Sequence, residues 1–138
     1  MLTMNYAKKI GLQTGDQIVT PLFALGLSKH FAVYLGFENG IEWIAENHKV
    51  LGVRVIPAWQ YFKDVTVISR IDQFKGTAAQ RMVLMKKARS LAGTPYNLIS
   101  YNCEHFATEL TSGVSASRQV SFAALGLFGL LLFNSLKK

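Results

Sequence analysis

The dipeptide Asn39-Gly40 is the feature that most constrains the fold of this chain. It separates two β-prone runs, residues 30–35 and 41–47. Asn-Gly between two such runs is the strongest short-range signal for a two-residue β-hairpin, because both residues accept the positive φ that the turn requires. The sequence therefore predicts an antiparallel hairpin, with His30 at the start of its first strand.

Other segments extend this hairpin into a sheet and add helices. Residues 15–19 read as a turn and a short strand, and residues 53–56 and 65–71 are rich in β-branched side chains, which predicts four to five antiparallel strands. From Thr77 the apolar residues recur at helical spacing among lysines and arginines, so an amphipathic helix is predicted to end near Gly93. The pattern indicates an α+β domain in which the sheet packs on helices.

The single cysteine, Cys103, falls where a further helix is predicted to begin. The run Gly93-Thr94-Pro95 is a turn that a helix cannot cross, and Asn102 is a favourable N-cap for a helix reaching about Thr111. In the first turn of a helix, unpaired N–H groups and the positive end of the macrodipole favour a thiolate. A lone cysteine is more often a small buried apolar residue, but His30 at a strand start could supply a base. The two residues together predict a nucleophilic thiol.

Several motifs resemble one protein family. NCEHF at residues 102–106 follows YNL at 96–98, and HFAVYLG lies upstream at 30–36, with Gly15-Asp16 and GVRVIP at 52–57. These runs are similar to the lecithin:retinol acyltransferase family, which includes the small phospholipase A/acyltransferases, over about residues 10–113. The resemblance implies a circularly permuted papain-like (NlpC-type) fold, with Cys103 as nucleophile and His30 as base. It also implies that His105, the histidine of NCEHF, is structural.

The third catalytic residue is where the sequence departs from the animal enzymes of the family. They carry a second histidine twelve residues after the first, and this chain has Glu42 there. Aligning residues 44–46 with their Val-Ile-His pattern makes Glu46 the residue that orients His30, a role that suits a carboxylate.

Hairpin geometry leaves the choice open. A two-residue loop would pair residue 32 with residue 47 and bring Asn47 to the face of His30, whereas a bulge or a three-residue loop would restore Glu46. The predicted catalytic set is Cys103, His30 and Glu46, with Asn47 and then Glu42 as alternatives.

Composition narrows the possible ligands and partners. The net charge is +7, from 15 basic and 8 acidic residues, but the basic residues are dispersed and not interleaved with aromatics, so nucleic acid is not predicted as a partner. Attraction to an anionic lipid surface explains the charge at least as well. No metal-ligand spacing, phosphate-binding glycine loop or dinucleotide fingerprint occurs, so no metal or cofactor is implied. No obligate protein partner is inferred.

Residues 120–136 differ in kind from the rest of the chain. They carry no charge, lie between Arg118 and Lys137-Lys138, and as a helix would extend roughly 25 Å, just short of a hydrocarbon core. We therefore expect a catalytic domain over residues 1–116 and a hydrophobic membrane-anchor helix within 117–138. A reactive, unpaired thiol favours a reducing compartment, so the catalytic domain is expected on the cytosolic side of a membrane.

The sequence is thus interpreted as a thiol-dependent phospholipid acyltransferase or phospholipase A-type enzyme that forms an acyl-thioester on Cys103. A phospholipid or another acyl-lipid is the expected substrate. Two alternatives stay open: an NlpC-type cysteine peptidase or amidase, and a catalytically inactive, membrane-bound interaction module.

Overall fold

A computed structural model describes residues 5–21, 29–97 and 101–112 of the chain. It contains five strands: β1 (Gln17–Pro21), β2 (Lys29–Glu38), β3 (Ile41–His48), β4 (Gly52–Pro57) and β5 (Arg70–Asp72). Its helices are α1 (Tyr6–Ile10), α2 (Ala58–Phe62), α3 (Ala78–Leu91) and α4 (Cys103–Ser112). The strands form one antiparallel sheet in the order β4-β3-β2-β1-β5.

This architecture confirms the predicted α+β class and the antiparallel sheet. The helices predicted after Thr77 and at Cys103 are also present, as α3 and α4. That the arrangement is the permuted papain-like one stays a prediction. The hydrophobic segment at residues 120–136 and the boundary at residue 116 lie outside the described residues.

One predicted strand is present but shorter than expected. Residues 65–71 were expected to form a strand, but β5 covers only Arg70–Asp72. Val65 and Ile68 instead pack against the core from an irregular segment. Apolar burial therefore accounts for these β-branched residues without a strand ladder.

Side chains alternate between the two faces of the sheet, and each face has its own core. On one face α3 and α4 cover Val19, Phe31, Val33, Ala45 and Val53. On the other face α1 and α2 lie against Ile18, Ala32, Tyr34, Ile44 and Ile56. The two-residue period of a strand places neighbouring residues of β2 and β3 on opposite faces, which decides which polar groups can meet.

The β2–β3 hairpin has the predicted two-residue loop and also a bulge. Asn39 and Gly40 have φ values of 54° and 75°, as a two-residue primed turn requires. Glu38 pairs with Ile41 across this loop, but the register shifts between Tyr34 and Gly36. Leu35 is therefore an extra residue on β2, and beyond it Ala32 pairs with Glu46.

The turn at Gly93-Thr94-Pro95 is held against β4. Val53 donates its N–H to the Thr94 carbonyl at 2.9 Å, and Gly93 donates to the Val53 carbonyl at 2.8 Å. Gly52 has a φ of 74°, and a Cβ atom there would overlap the Thr94 carbonyl oxygen. This docking fixes the end of α3 at the sheet edge, from which the chain returns to α4.

Candidate active site

His30 and Glu46 meet across the β2–β3 ladder. His30 lies two residues before Ala32, the partner of Glu46, so the two side chains are diagonal neighbours on one face. His30 Nε2 lies 2.9 Å from Glu46 Oε2. The extra residue at Leu35 produces this contact, because it brings Glu46 rather than Asn47 to the face of His30.

Cys103 is the first residue of α4 and is buried. Its Sγ lies 3.5 Å from the carbonyl oxygen of Lys29, and its side chain is near enough to His30 to raise the pKa of the imidazole. The imidazole thus has both a thiol and a carboxylate as neighbours.

The start of α4 is fixed by a reciprocal cap. His105 donates its backbone N–H to Asn102 Oδ1 at 3.0 Å, and Asn102 donates its backbone N–H to His105 Nδ1 at 3.1 Å. This is the geometry of a capping box, with histidine in place of the usual Glu or Gln. The ring of His105 therefore serves the N-cap, and burial lowers its pKa.

Electrostatics at the site favour a charged imidazole. Burial alone would lower the pKa of His30, but hydrogen bonds to Cys103 and Glu46, together with their charges, raise it to about 9. Burial would raise the pKa of Glu46, but His30 and Arg54 hold it below its usual range. Near neutral pH the pair is accordingly an imidazolium and a carboxylate.

The three candidates for the third residue have different environments. Glu46 contacts the His30 ring. Asn47 is fully buried and points the other way, where its Nδ2 donates to the Tyr101 carbonyl at 2.8 Å and more weakly to the Asn102 carbonyl at 3.3 Å. Glu42, four residues and about 13 Å along β3 from Glu46, accepts hydrogen bonds from the backbone of α1 and from the Tyr34 hydroxyl.

Two residues near the site did not emerge from the sequence. Arg54 on β4 donates to Glu46 through Nε at 2.8 Å and Nη2 at 2.6 Å. The hydroxyl of Tyr61 on α2 is buried close to the Thr20 side chain, but no group among the described residues lies in good hydrogen-bond geometry to it. Burial first, and then the charges of Glu46 and Cys103, raise its pKa, which the Thr20 side chain partly offsets.

A sequence signal existed for only one of these two residues. Residue 54 lies on a predicted strand, but its partner could be named only once the register was known. Tyr61 lies in a five-residue helix that no periodicity could reveal.

Metal ligation is not indicated in the described part of the chain, where no group of three or more His, Cys, Asp or Glu side chains has an arrangement that could hold a metal ion. Within those same residues, no helix is both long and apolar enough to cross a bilayer.

Comparison with known proteins identifies the family. The family model for lecithin retinol acyltransferase matches residues 11–116. The chain belongs to that family. The match includes β1 to β5 and two residues of the candidate site, Cys103 and His30. The resemblance inferred from the motifs is therefore confirmed.

The human protein phospholipase A and acyltransferase 2 is 41% identical to this chain over 66 residues. The alignment covers 38% of this chain and 41% of the human protein. This chain therefore matches about two fifths of the length of that relative.

Proposed function

We propose that this protein is a thiol-dependent acyltransferase or phospholipase A-type hydrolase that removes an acyl chain from a glycerophospholipid. The observation that carries the proposal is the position of the His30 imidazole, which lies 2.9 Å from Glu46 and near enough to Cys103 for the thiol group to raise its pKa. This is the arrangement that covalent acyl transfer by a thiol needs: a nucleophile, a base and a group that orients the base.

In the first half-reaction the thiol proton of Cys103 is held by His30, and the resulting thiolate sulfur attacks the carbonyl carbon of the ester. A carbon–sulfur bond forms, and the negative charge that develops on the carbonyl oxygen would face the backbone N–H of Cys103, one of the unpaired donors of the first turn of α4. The ester carbon–oxygen bond then breaks, and the proton held by His30 passes to the departing lysophospholipid oxygen. The acyl chain remains as a thioester on Cys103.

In the second half-reaction an amine, an alcohol or water attacks the thioester. His30 takes the proton of the incoming group, the carbon–sulfur bond breaks, and the sulfur leaves as a thiolate. Glu46 stays ionised throughout and stabilises the imidazolium, which is present before the first half-reaction and forms again in the second. The identity of the second nucleophile decides between transfer and hydrolysis.

The lipid class of the substrate rests on two further observations. The lecithin retinol acyltransferase model matches most of the chain, and a relative carries the name phospholipase A and acyltransferase 2. The net charge of +7 favours attraction to an anionic lipid surface. We propose that the enzyme works at such a surface, with residues 120–136 as its membrane anchor and the catalytic domain on the cytosolic side.

Intact-mass spectrometry provides the test. The protein is incubated with a phosphatidylcholine of defined acyl chains and quenched in acid. The wild-type chain is expected to gain the mass of one acyl group, removable by hydroxylamine, and Cys103→Ala is expected to gain none. Because the chain contains a single cysteine, a thioester can form only there.

A matched panel of peptides and amides separates the alternatives. Cleavage of the panel without a lipid adduct would favour a peptidase or amidase and overturn the proposed substrate class. Inertness toward both lipids and the panel would favour an inactive interaction module.

A further inference from the structure

Glu46 uses its two carboxylate oxygens for two different partners. Oε2 faces His30 Nε2 at 2.9 Å, and Oε1 accepts from Arg54 through Nε at 2.8 Å and Nη2 at 2.6 Å. The Glu46 side chain is only 5% exposed, whereas that of Arg54 is 27% exposed. The carboxylate is thus enclosed between an imidazole on the inner side and a guanidinium on the side toward solvent.

The sheet register creates this arrangement. Glu46 pairs directly with Arg54 across β3 and β4, and His30 lies diagonally across β2. All three side chains therefore project from one face of three adjacent strands. Because β4 is an edge strand, Arg54 closes the row on its outer side.

This contact differs from the other arginine pairs of the described chain. Arg70 with Asp72 and Arg89 with Glu38 each join one nitrogen to one oxygen, and each partner is more than 40% exposed. Such exposed pairs contribute little. Arg54 directs two donors at one oxygen of a buried carboxylate, a geometry that restricts the orientation of the carboxylate plane.

We propose that Arg54 is a positioning residue for the reaction, one that holds Glu46 so that its other oxygen stays directed at His30. The inference rests on the proposed function, since it gives Arg54 a role in the Cys103–His30–Glu46 arrangement. Glutamate has three rotatable side-chain bonds, and a single contact to His30 would leave the carboxylate able to turn away. The two donors of Arg54 remove that freedom, and the positive charge keeps the carboxylate ionised.

Charged and titratable groups surround Glu46 on several elements. His30 on β2 and Arg54 on β4 lower the pKa of Glu46. The negative charge of Glu46 in turn acts to raise the pKa values of His48 on β3 and Tyr61 on α2. Cys103 on α4 acts through His30. Without Arg54 the pKa of Glu46 would rise, so the carboxylate would be protonated at a higher pH and would stop supporting the imidazolium there.

The test compares Arg54→Met with Arg54→Lys, and uses Arg89→Met as the matched control because it breaks an exposed arginine–glutamate pair of similar length. Alkylation of Cys103 by iodoacetamide is followed from acid to alkaline pH in the full chain, and acyl-thioester formation is measured on the same samples. Thermal unfolding monitors the folded fraction.

For Arg54→Met we expect acyl-thioester formation to slow by about 10-fold to 100-fold, the range for loss of a supporting contact, with KM little changed. The acid limb of the alkylation profile should move to higher pH. Arg54→Lys should return the acid limb toward that of the wild type, because it restores the charge, while recovering the rate only in part. Arg89→Met should follow the wild type in both measurements.

An Arg54→Met protein that is folded and keeps the wild-type alkylation profile would overturn the inference, as would a loss of rate that only follows the folded fraction. Alkylation needs no lipid. If no variant forms a thioester but Arg54→Met still shifts the alkylation profile, the proposed function fails and the role of Arg54 stands.

Discussion

The charge state of His30 links the candidate site to the stability of the whole fold. The imidazole is shielded from solvent yet favoured in its protonated form, because it contacts the Glu46 carboxylate and lies near Cys103. A group of this kind stabilises the native state only while it is protonated. The residue that would carry the proton in catalysis is thus also a source of pH-dependent stability.

We therefore expect the free energy of unfolding to fall as the pH rises. The folded-state pKa of His30 is about 9, above its ordinary value of 6.5. The stabilisation is fully present below pH 6.5 and is lost as the pH rises through about 9. Urea unfolding at a series of pH values checks this, with His30→Gln as the comparison. Identical pH dependence in the two proteins would contradict the assignment.

At the residue scale, the sequence identified the candidate nucleophile and base, but not the arginine that contacts Glu46. Cys103 and His30 stood out because a helix start and a strand start are recognisable from local sequence. Arg54 did not, because it is one arginine among 15 basic residues, and its significance depends on a partner on another strand. Contacts set by register cannot be read from a single strand.

At the scale of elements, α4 depends on its reciprocal cap. His105 occupies the position that Glu or Gln holds in a capping box, and its Nδ1 accepts the Asn102 N–H. We expect His105→Gln to keep this contact, with stability within about 0.5 kcal/mol of the wild type and Cys103 alkylation nearly unchanged. His105→Leu should lose about 1 kcal/mol. Chemical denaturation and alkylation rates provide the measurements.

Comparison of His105→Gln with His30→Gln also tests the assignment of His30 as the base. If His105 rather than His30 served Cys103, His105→Gln would slow alkylation as strongly as His30→Gln does. The structure gives a reason to expect otherwise, because the His105 ring is already engaged by the backbone of its own helix.

Elements with strong local signals were predictable, and short ones were not. The hairpin loop, α3 with its capping box at Thr77 and Gln80, and α4 follow from turn chemistry and caps. The apolar period of α3 was a weaker guide, because Met82 and Val83 are exposed and the buried residues are Leu84 and Ala88. The five-residue helices α1 and α2 are too short to show a period, and are stabilised by packing instead. The bulge at Leu35 likewise has no local signature other than the following Gly36, whose φ is 92°.

At the scale of the whole molecule, the described residues form a sheet with a core on each face. We propose that residues 1–116 form the catalytic domain and that residues 117–138 act as its membrane anchor. A chain ending at residue 116 should keep the unfolding midpoint and the Cys103 alkylation rate of the full chain. It should also lose co-sedimentation with uncharged phosphatidylcholine vesicles, for which electrostatic attraction is absent.

Two measurements decide this prediction. Loss of cooperative unfolding in the shortened chain would show that the domain needs residues beyond 116. Continued sedimentation with uncharged vesicles would instead locate the membrane contact within the domain itself.

The extra residue at Leu35 has a consequence for how such a site could change over evolutionary time. Residue 32 pairs with Glu46 because Leu35 stays outside the ladder. With the loop and this bulge unchanged, loss of one residue of β3 between Ile41 and Ala45 would pair residue 32 with residue 47 and present an amide, instead of a carboxylate, to the imidazole. A single-codon deletion would thus exchange the group behind the base without any substitution, and the same event would break the contact of that group with Arg54. Lineages that differ by one residue in this hairpin should therefore differ in the chemistry of the third position.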